Sequence, residues 1–568
     1  MKKTPALDWV RLDQSAQTLM RQRGLMTFVI GLCAAFLFLA FQGQPVLFDW
    51  DELIYASLAR QMVVSGDWLS LIINGDPFWE KPPLFMWLQA MAFSWGGLSE
   101  TTARLPSALA SGMTVSGLYG VGVYLWGPAL ALLWSILLCT SFLPLWFGKT
   151  GLIDPLLNLL MLMGLGGLFF MDQQISKEKK GVVPLLIAAV ALGLAVLTKG
   201  PLGWGLPMII WVLYKCWHRR PYPQLWQVAL FLLISGGVAC SWFILELWFQ
   251  GPDFVVEFSR YQWRILTRND GHPGPIYFHI LAYGLGCFPF AFLSVGALGS
   301  TLWRRHPPQL TAPTEQQQAF LHLSIVAIAV VLAVFSLLVQ TKLIHYTSLL
   351  YPLGSFWAAL RLHQFLQKQA TPSFLEIAGI LCTGLFWLFL LTLVPWLGRH
   401  PSLLKTWIQD PLTLGYLRAP VAWPLWSFLP ALFLMIGLLS WWMSLNQRSL
   451  WAWMLLLGFS GLTAQSVWLG LAPHLLLHAQ GGAIQFFQTQ DQTTAPLILY
   501  GYRSYIPYFY GPLHVPYAAT VEELQTLLKN EPAATVITWI PFESELSLNL
   551  SLFTLEKHGA FLKMVNQP

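Results

Sequence analysis

The amino-acid sequence predicts a polytopic α-helical membrane protein of about thirteen spans, with a small α/β domain at its C-terminus. Three observations point there: an apolar composition, apolar runs of near-membrane length, and a tail whose pattern changes after about residue 475. Of 568 residues, 56% are hydrophobic and only 10% charged, at a mean hydropathy of +0.57, which is too apolar for a soluble globule of this length. The 29 Trp and 37 Phe suit interfacial belts and lipid-facing surface. A net charge of +6 is what excess cytoplasmic Lys and Arg would give, so no nucleic-acid partner is inferred. The six cysteines, Cys33, Cys139, Cys216, Cys240, Cys287 and Cys382, fall in or beside apolar runs without CxxC spacing, which argues for packing residues and against a zinc site or disulfide framework.

The first run, 24–42, follows Arg21 and Arg23 and ends without a small-residue cleavage pattern, so it reads as a retained span. Further runs cover 104–125, 128–148, 153–171, 182–198, 201–217, 225–249, 276–302, 320–340, 343–361, 374–396, 424–443 and 450–470. Lys2, Lys3, Arg11, Arg21 and Arg23 share a side with the loops holding Lys177, Lys179 and Lys180, Arg219 and Arg220, Arg304 and Arg305, Arg361 and Lys368, and Arg448. This asymmetry predicts that they are cytoplasmic. The loop 43–103 and the tail 475–568 then lie outside, which divides the chain into a membrane domain, 1–474, and an extracytoplasmic domain. Within the loop, "DELIYASLARQM" can form an apolar helical face and "KPPLFMWLQAMAFSW" is too short to span, so two helices are expected along the interface. In the tail, "APLILYGYRSYIPYFYG" reads as strand and turn, and "AATVITWI" as a strand. Between them "TVEELQTLLKN" reads as a helix opened by Thr520, with Glu523 three residues on.

The ionisable residues outside the cytoplasmic loops map to one side. Asp49, Asp51, Glu52, Glu80 and Lys81 lie in the first outer loop, Asp154 at the start of the fourth span and Lys199 in "TKGP". Arg260, Arg264, Arg268, Asp270 and His272 come from the loop 250–275, and Lys342, His345 and Tyr346 from "QTKLIHY". Ionisable groups at membrane depth are costly unless paired or used, so a single-sided set drawn from five loops predicts one outward-facing cavity. Carboxylates there can supply a general base or a metal ligand, and the cations suit a phosphate, a combination that points to group transfer from a phosphorylated donor.

Simpler roles compete at each position. The acids at 49, 51 and 52 would also cap a helix, and Asp154 would be a first-turn acid before Pro155. Glu80 and Lys81 could form a solvated pair, Lys199 and Lys342 could snorkel to lipid phosphates, and the arginines at 260, 264 and 268 could meet headgroups along one helical face. His272 in "GHPG" would serve as a turn residue, and His345 reads as an interfacial polar residue.

The set "DWDELIYASLARQMVVSGDWL", "NGDPFWEKPPLFMWLQA", "TGLIDPLL", "LTKGPLG", "RYQWRILTRNDGHPGPIYFHI" and "QTKLIHYTSLLYP", in this order over about the first 360 residues, resembles the bacterial branch of the protein mannosyltransferase superfamily. The likeness is to its lipid A aminoarabinose transferases and related polyprenyl-phosphate-sugar glycosyltransferases. It implies the glycosyltransferase C fold, with a first outer loop of two juxtamembrane helices and a C-terminal outer domain. By motif it implies Asp51, Asp154, Glu80 and Lys81 as catalytic residues, with Asp49 competing with Asp51 because the motif is spelled DWDE. It further implies Asp49, Glu52, Tyr55, Lys199, Arg260, Arg264, Arg268, His272, Lys342 and Tyr346 as substrate-binding residues. No cofactor is certain; a divalent metal is associated with some members, and Glu80 and His272 would be its candidate ligands. The expected chemistry is an inverting transfer from a polyprenyl-phosphate sugar to a glycolipid, glycan or protein hydroxyl by a monomer embedded in membrane lipid. A lipid-linked glycan polymerase or ligase, a secondary transporter of an anionic solute and an accessory subunit are the alternatives. A transporter would favour midplane charges and two similar halves with broken helices, neither of which the sequence displays.

Overall fold

The computed structural model describes residues 23–218, 222–268, 271–303, 313–444, 450–489, 496–550 and 552–565. Lys2, Lys3, Arg11, Arg21, Arg219, Arg220, Asp270, Arg304, Arg305 and Arg448 lie outside the described residues. Each of the thirteen apolar runs is helical over most of its length. The count of thirteen spans is not reached, however: eight helices are long and apolar enough to cross a membrane, or ten with two bent pairs included, among the described residues. Pro128–Thr140 and Phe142–Lys149 meet at 69°, and Phe278–Gly286 and Ala291–Leu302 at 117°, while the helix Gly24–Leu39 is short for a span.

Local chemistry sets many of the boundaries. Ser99 with Thr102, Thr314 with Gln317, and Ser373 with Glu376 form reciprocal caps that satisfy the first free N–H groups of their helices. Pro155 occupies the first turn of Asp154–Ile175, where its missing N–H costs nothing. The Val182–Lys199 helix stops at Gly200, φ 76°, where a Cβ would lie 2.6 Å from the Phe258 ring. That stop is what leaves Lys199 at the mouth of its helix.

Two short helices, Asp51–Ser65 and Leu84–Gly96, form in the loop after the first run, joined through an antiparallel hairpin of β1 (Ile72–Ile73) and β2 (Asp76–Pro77). The first is more enclosed than an interfacial helix needs to be: Leu53, Ile54, Tyr55, Ala56, Ser57, Leu58, Ala59 and Met62 are all buried. The C-terminal part supplies the cover. Arg60 donates to the carbonyls of Tyr508 and Gly511, each at 2.8 Å, and Asn74 Oδ1 accepts from the Val515 N–H at 2.9 Å.

In the tail, β3 (Leu497–Tyr500), β4 (Tyr517–Ala518), β5 (Thr535–Trp539), β6 (Phe553–His558) and β7 (Phe561–Val565) form a mixed sheet in the order β4-β3-β5-β7-β6. The β4, β3 and β5 strands are parallel, while β7 runs antiparallel to both its neighbours. The helix Val521–Asn530 carries the Thr520–Glu523 cap. One helical stretch, Leu450–Thr489, runs through residue 475 with a π turn at Val467–Leu471, so the sheet starts only at Leu497.

Candidate active site

A cavity of about 940 Å³ lies between the first outer loop, the bundle and the segment that follows β3, from which Arg503 and Tyr505 reach its wall. Asp49, Asp51, Glu52, Tyr55, Glu80, Lys81, Lys199, Arg264, His272 and Tyr346 line it, bringing together segments up to 297 residues apart in sequence. Asp154 stands behind this wall, its Oδ1 2.7 Å from Lys199 Nζ.

Asp51 opens its helix, where the dipole favours a carboxylate. Its side chain stays 42% exposed, and its Oδ2 lies 3.9 Å from His345 Nε2. His345 is therefore part of the cavity, not an isolated interfacial residue. The preceding Trp50 has φ 71°, a backbone conformation that costs a non-glycine residue about 1–3 kcal/mol.

Glu52 forms part of the wall, yet its carboxylate is committed elsewhere. Arg104 Nε and Nη2 bind its two oxygens at 2.7 and 2.8 Å, and the N–H groups of Gly151 and Phe48 donate to it as well. Arg104 also donates to the carbonyls of Gln42, Pro45 and Val46 and lies over the Trp468 ring at 5.0 Å. With both partners buried, Glu52 joins the loop to the bundle and has little capacity left for a substrate.

Across the cavity the cations converge. Lys81 Nζ is 3.3 Å from Tyr261 Oη and 4.7 Å from that ring's centroid, with the Arg264 guanidinium 5.1 Å from the same ring. Lys199 sits 5.1 Å from the Tyr346 ring. Burial pulls the Lys81 pKa below the ordinary lysine range, with Lys199 adding to the fall and Glu80, Asp51 and Asp154 opposing it. Burial and then Asp51 raise the Tyr55 hydroxyl, and burial with the Glu80 carboxylate raises that of Tyr261, so both phenols remain protonated hydrogen-bond donors.

Three expected binding residues lie elsewhere. Lys342 Nζ donates to the carbonyls of Phe335, Ser336 and Val339 at 2.9, 2.9 and 2.6 Å, closing the end of the helix that finishes in a π turn at Val334–Leu338. Arg260 pairs with Glu257 and lines an adjoining space, and Arg268 is exposed just after the helix Asp253–Thr267. Replacing Lys342 with methionine is therefore expected to lower the thermal midpoint, at a cost of about 1–3 kcal/mol for the released carbonyls, which thermal unfolding checks.

Among the described residues no three His, Cys, Asp or Glu side chains converge as a metal site. Glu80 and His272, the two candidate ligands, both line the cavity.

The adjoining space, about 720 Å³, lies between the β1–β2 hairpin, the helix Asp253–Thr267 and the sheet. Glu80, Tyr261, Arg264, Arg503 and Tyr505 line both it and the main cavity, so the two are neighbours across one wall. Sequence reasoning missed Tyr261, which stands between the arginines of "RYQWR", and Arg503 and Tyr505. The tyrosine was legible from its motif; the two tail residues carried no signal.

The sequence profile of the dolichyl-phosphate-mannose-protein mannosyltransferase family matches residues 80–240. An undecaprenyl phosphate-alpha-4-amino-4-deoxy-L-arabinose arabinosyl transferase of Pseudomonas fluorescens is 29% identical over 251 residues, 43% of this chain and 42% of that protein. A second, from Pseudomonas savastanoi pv. phaseolicola, is 29% identical over 45% of this chain and 48% of its own length. The aligned region thus spans less than half of these curated relatives. The crystal structure of ArnT from Cupriavidus metallidurans bound to undecaprenyl phosphate superposes with a TM-score of 0.70 at 18% identity, covering 96% of this chain and 99% of that one. Its apo form gives 0.69 at 18% identity over 97% and 100%. The chain is a multi-pass membrane protein of the glycosyltransferase C fold, carrying the protein mannosyltransferase family's sequence pattern through residues 80–240.

Proposed function

We propose that the protein is an inverting glycosyltransferase that moves a sugar from a polyprenyl-phosphate donor to an acceptor hydroxyl at the extracytoplasmic face of the cytoplasmic membrane. The observation that carries this reading is the cavity itself, where a half-exposed carboxylate, Asp51, shares one space with Lys81, Lys199 and Arg264. The acceptor oxygen attacks the anomeric carbon and gives its proton to Asp51. The bond from that carbon to the phosphate oxygen breaks, and polyprenyl phosphate leaves with the electron pair. Lys81, Lys199 and Arg264 stabilise the negative charge as it develops, and Asp154 holds Lys199 in place through their ion pair. The names of the relatives and the undecaprenyl phosphate in the matched structure support this donor class.

The two neighbouring spaces support a division of labour. The donor's phosphate occupies the main cavity among the cations. The acceptor, a glycolipid, glycan or protein hydroxyl, approaches through the adjoining space, which is floored by aromatic rings including Trp79, Tyr508 and Tyr517. The C-terminal region from about residue 475 forms the roof of that approach, as an extracytoplasmic domain.

The test uses the purified full chain in lipid with a panel of polyprenyl-phosphate sugars, following release of free polyprenyl phosphate. Release that depends on an acceptor supports the reading. A folded protein that releases none across the panel overturns the donor class and favours a transporter. The pH profile adds a second check. Because Lys81 titrates below an ordinary lysine, near 10.5, raising the pH strips its proton early and should bring an alkaline fall in kcat below that value. Lys81→Arg keeps its charge across this range, so the fall is expected to move upward, measured by kcat from neutral to pH 10.5.

A further inference from the structure

Asp49 lies two residues before Asp51, and both of its carboxylate oxygens accept hydrogen bonds from the far end of the chain. Oδ2 accepts from Ser504 Oγ at 2.6 Å, and Oδ1 accepts from the N–H groups of Tyr505 at 3.1 Å and Trp50 at 2.8 Å. Gln480, with its amide turned to suit both neighbours, accepts from the Asp49 N–H at 2.8 Å and donates to the Leu47 carbonyl at 2.9 Å. Ser504 is buried, and its Oγ accepts in turn from the Ile506 N–H at 3.1 Å. The Tyr505 ring meets the Trp50 ring edge-on at 5.6 Å, at the residue held with φ 71°.

We infer that the segment Ser504–Tyr505 positions Asp51 for the reaction, acting through Asp49. Asp51 has ordinary helical geometry only after the positive-φ turn at Trp50 (φ 71°, ψ −122°), so its place in the cavity depends on what holds that turn. The hold comes from a segment that follows β3, over 450 positions away in the chain. Asp49 is then a tether and not a competing base, because its oxygens already accept three hydrogen bonds whereas Asp51 is open to the cavity.

The inference rests on the proposed role of Asp51, and two readouts separate it from that proposal. The first is kinetics of the full chain in lipid with Ser504→Ala, Ser504→Thr and Asp49→Asn. The Ala variant is expected to lose at least tenfold in kcat with donor KM within twofold, and Thr, which keeps the hydroxyl, to recover most of the loss. Asp49→Asn, whose amide can still pair with the Ser504 hydroxyl, should lose far less than Asp51→Asn. The second readout, hydrogen exchange of the backbone over 48–52, needs no substrate and should quicken in Ser504→Ala alone. Unchanged exchange there, an unchanged kcat in Ser504→Ala, or an Asp49→Asn loss equal to that of Asp51→Asn would each overturn the inference. If the wild type releases nothing, the glycosyltransferase reading falls while the exchange result still decides whether Ser504 holds the turn.

Discussion

Arg104→Ala is expected to cost about 3–5 kcal/mol of stability, the usual penalty for removing one partner of a buried ion pair. The substitution strands Glu52 in the interior and removes the donors to three carbonyls, those of Gln42, Pro45 and Val46, that end the first helix and lead into the loop. It also removes the cation from the Trp468 ring, and Trp468 belongs to the long helical stretch that leads to the C-terminal sheet. Three parts of the chain therefore meet at one guanidinium. Thermal unfolding in detergent or lipid checks the size of the effect, and a second variant separates charge from packing. Arg104→Met with Glu52→Leu replaces both charges by apolar groups and should recover a substantial part of the loss, because the stranded carboxylate is gone. If the single variant melts within 1–2 °C of wild type, the pair is not the joint described above.

The course of the membrane helices was legible because a span must satisfy its own backbone and therefore announces itself by length and hydropathy. Hydropathy is blind to bends, which is why 128–148 and 276–302 read as single spans although their helices turn at 69° and 117°. The cavity was legible for a related reason: charge is so costly in this setting that its grouping on one side stood out, and ten of the residues so marked line the same space. What could not be read was which charges are used up by the fold. Glu52 and Lys342 belong to the same motifs as their neighbours, yet Arg104 consumes one and helix-end carbonyls the other. Such commitments depend on partners 52 residues away for Glu52, and on where a helix ends for Lys342. Arg503 and Ser504 were invisible because the tail reaches the cavity only through tertiary packing.

Asp51→Asn should reduce kcat for sugar transfer by 10²- to 10⁴-fold, the range a positioned general base supplies. That corresponds to about 3–5 kcal/mol of barrier, by far the largest activity effect expected of a single atom pair in this cavity. Stability should hardly change. Asp51 is 42% exposed and begins its helix, so losing its charge forfeits a dipole contribution of about 0.3–1 kcal/mol at most. Binding of the proposed polyprenyl phosphate should persist or tighten slightly, because a carboxylate that repels the leaving phosphate has been neutralised while Lys81, Lys199 and Arg264 remain. The three measurements together discriminate between roles. A loss of activity with binding kept is the signature of a proton acceptor used only in the transition state, whereas parallel loss of both would make Asp51 a donor-binding group and leave the acceptor's proton to another base, with Glu80 the next carboxylate on the same wall. Combining Asp51→Asn with Lys81→Ala tests the division of roles directly: if Asp51 acts on the acceptor and Lys81 on the departing phosphate, the two losses in kcat compound, while donor affinity falls only where Lys81→Ala is present.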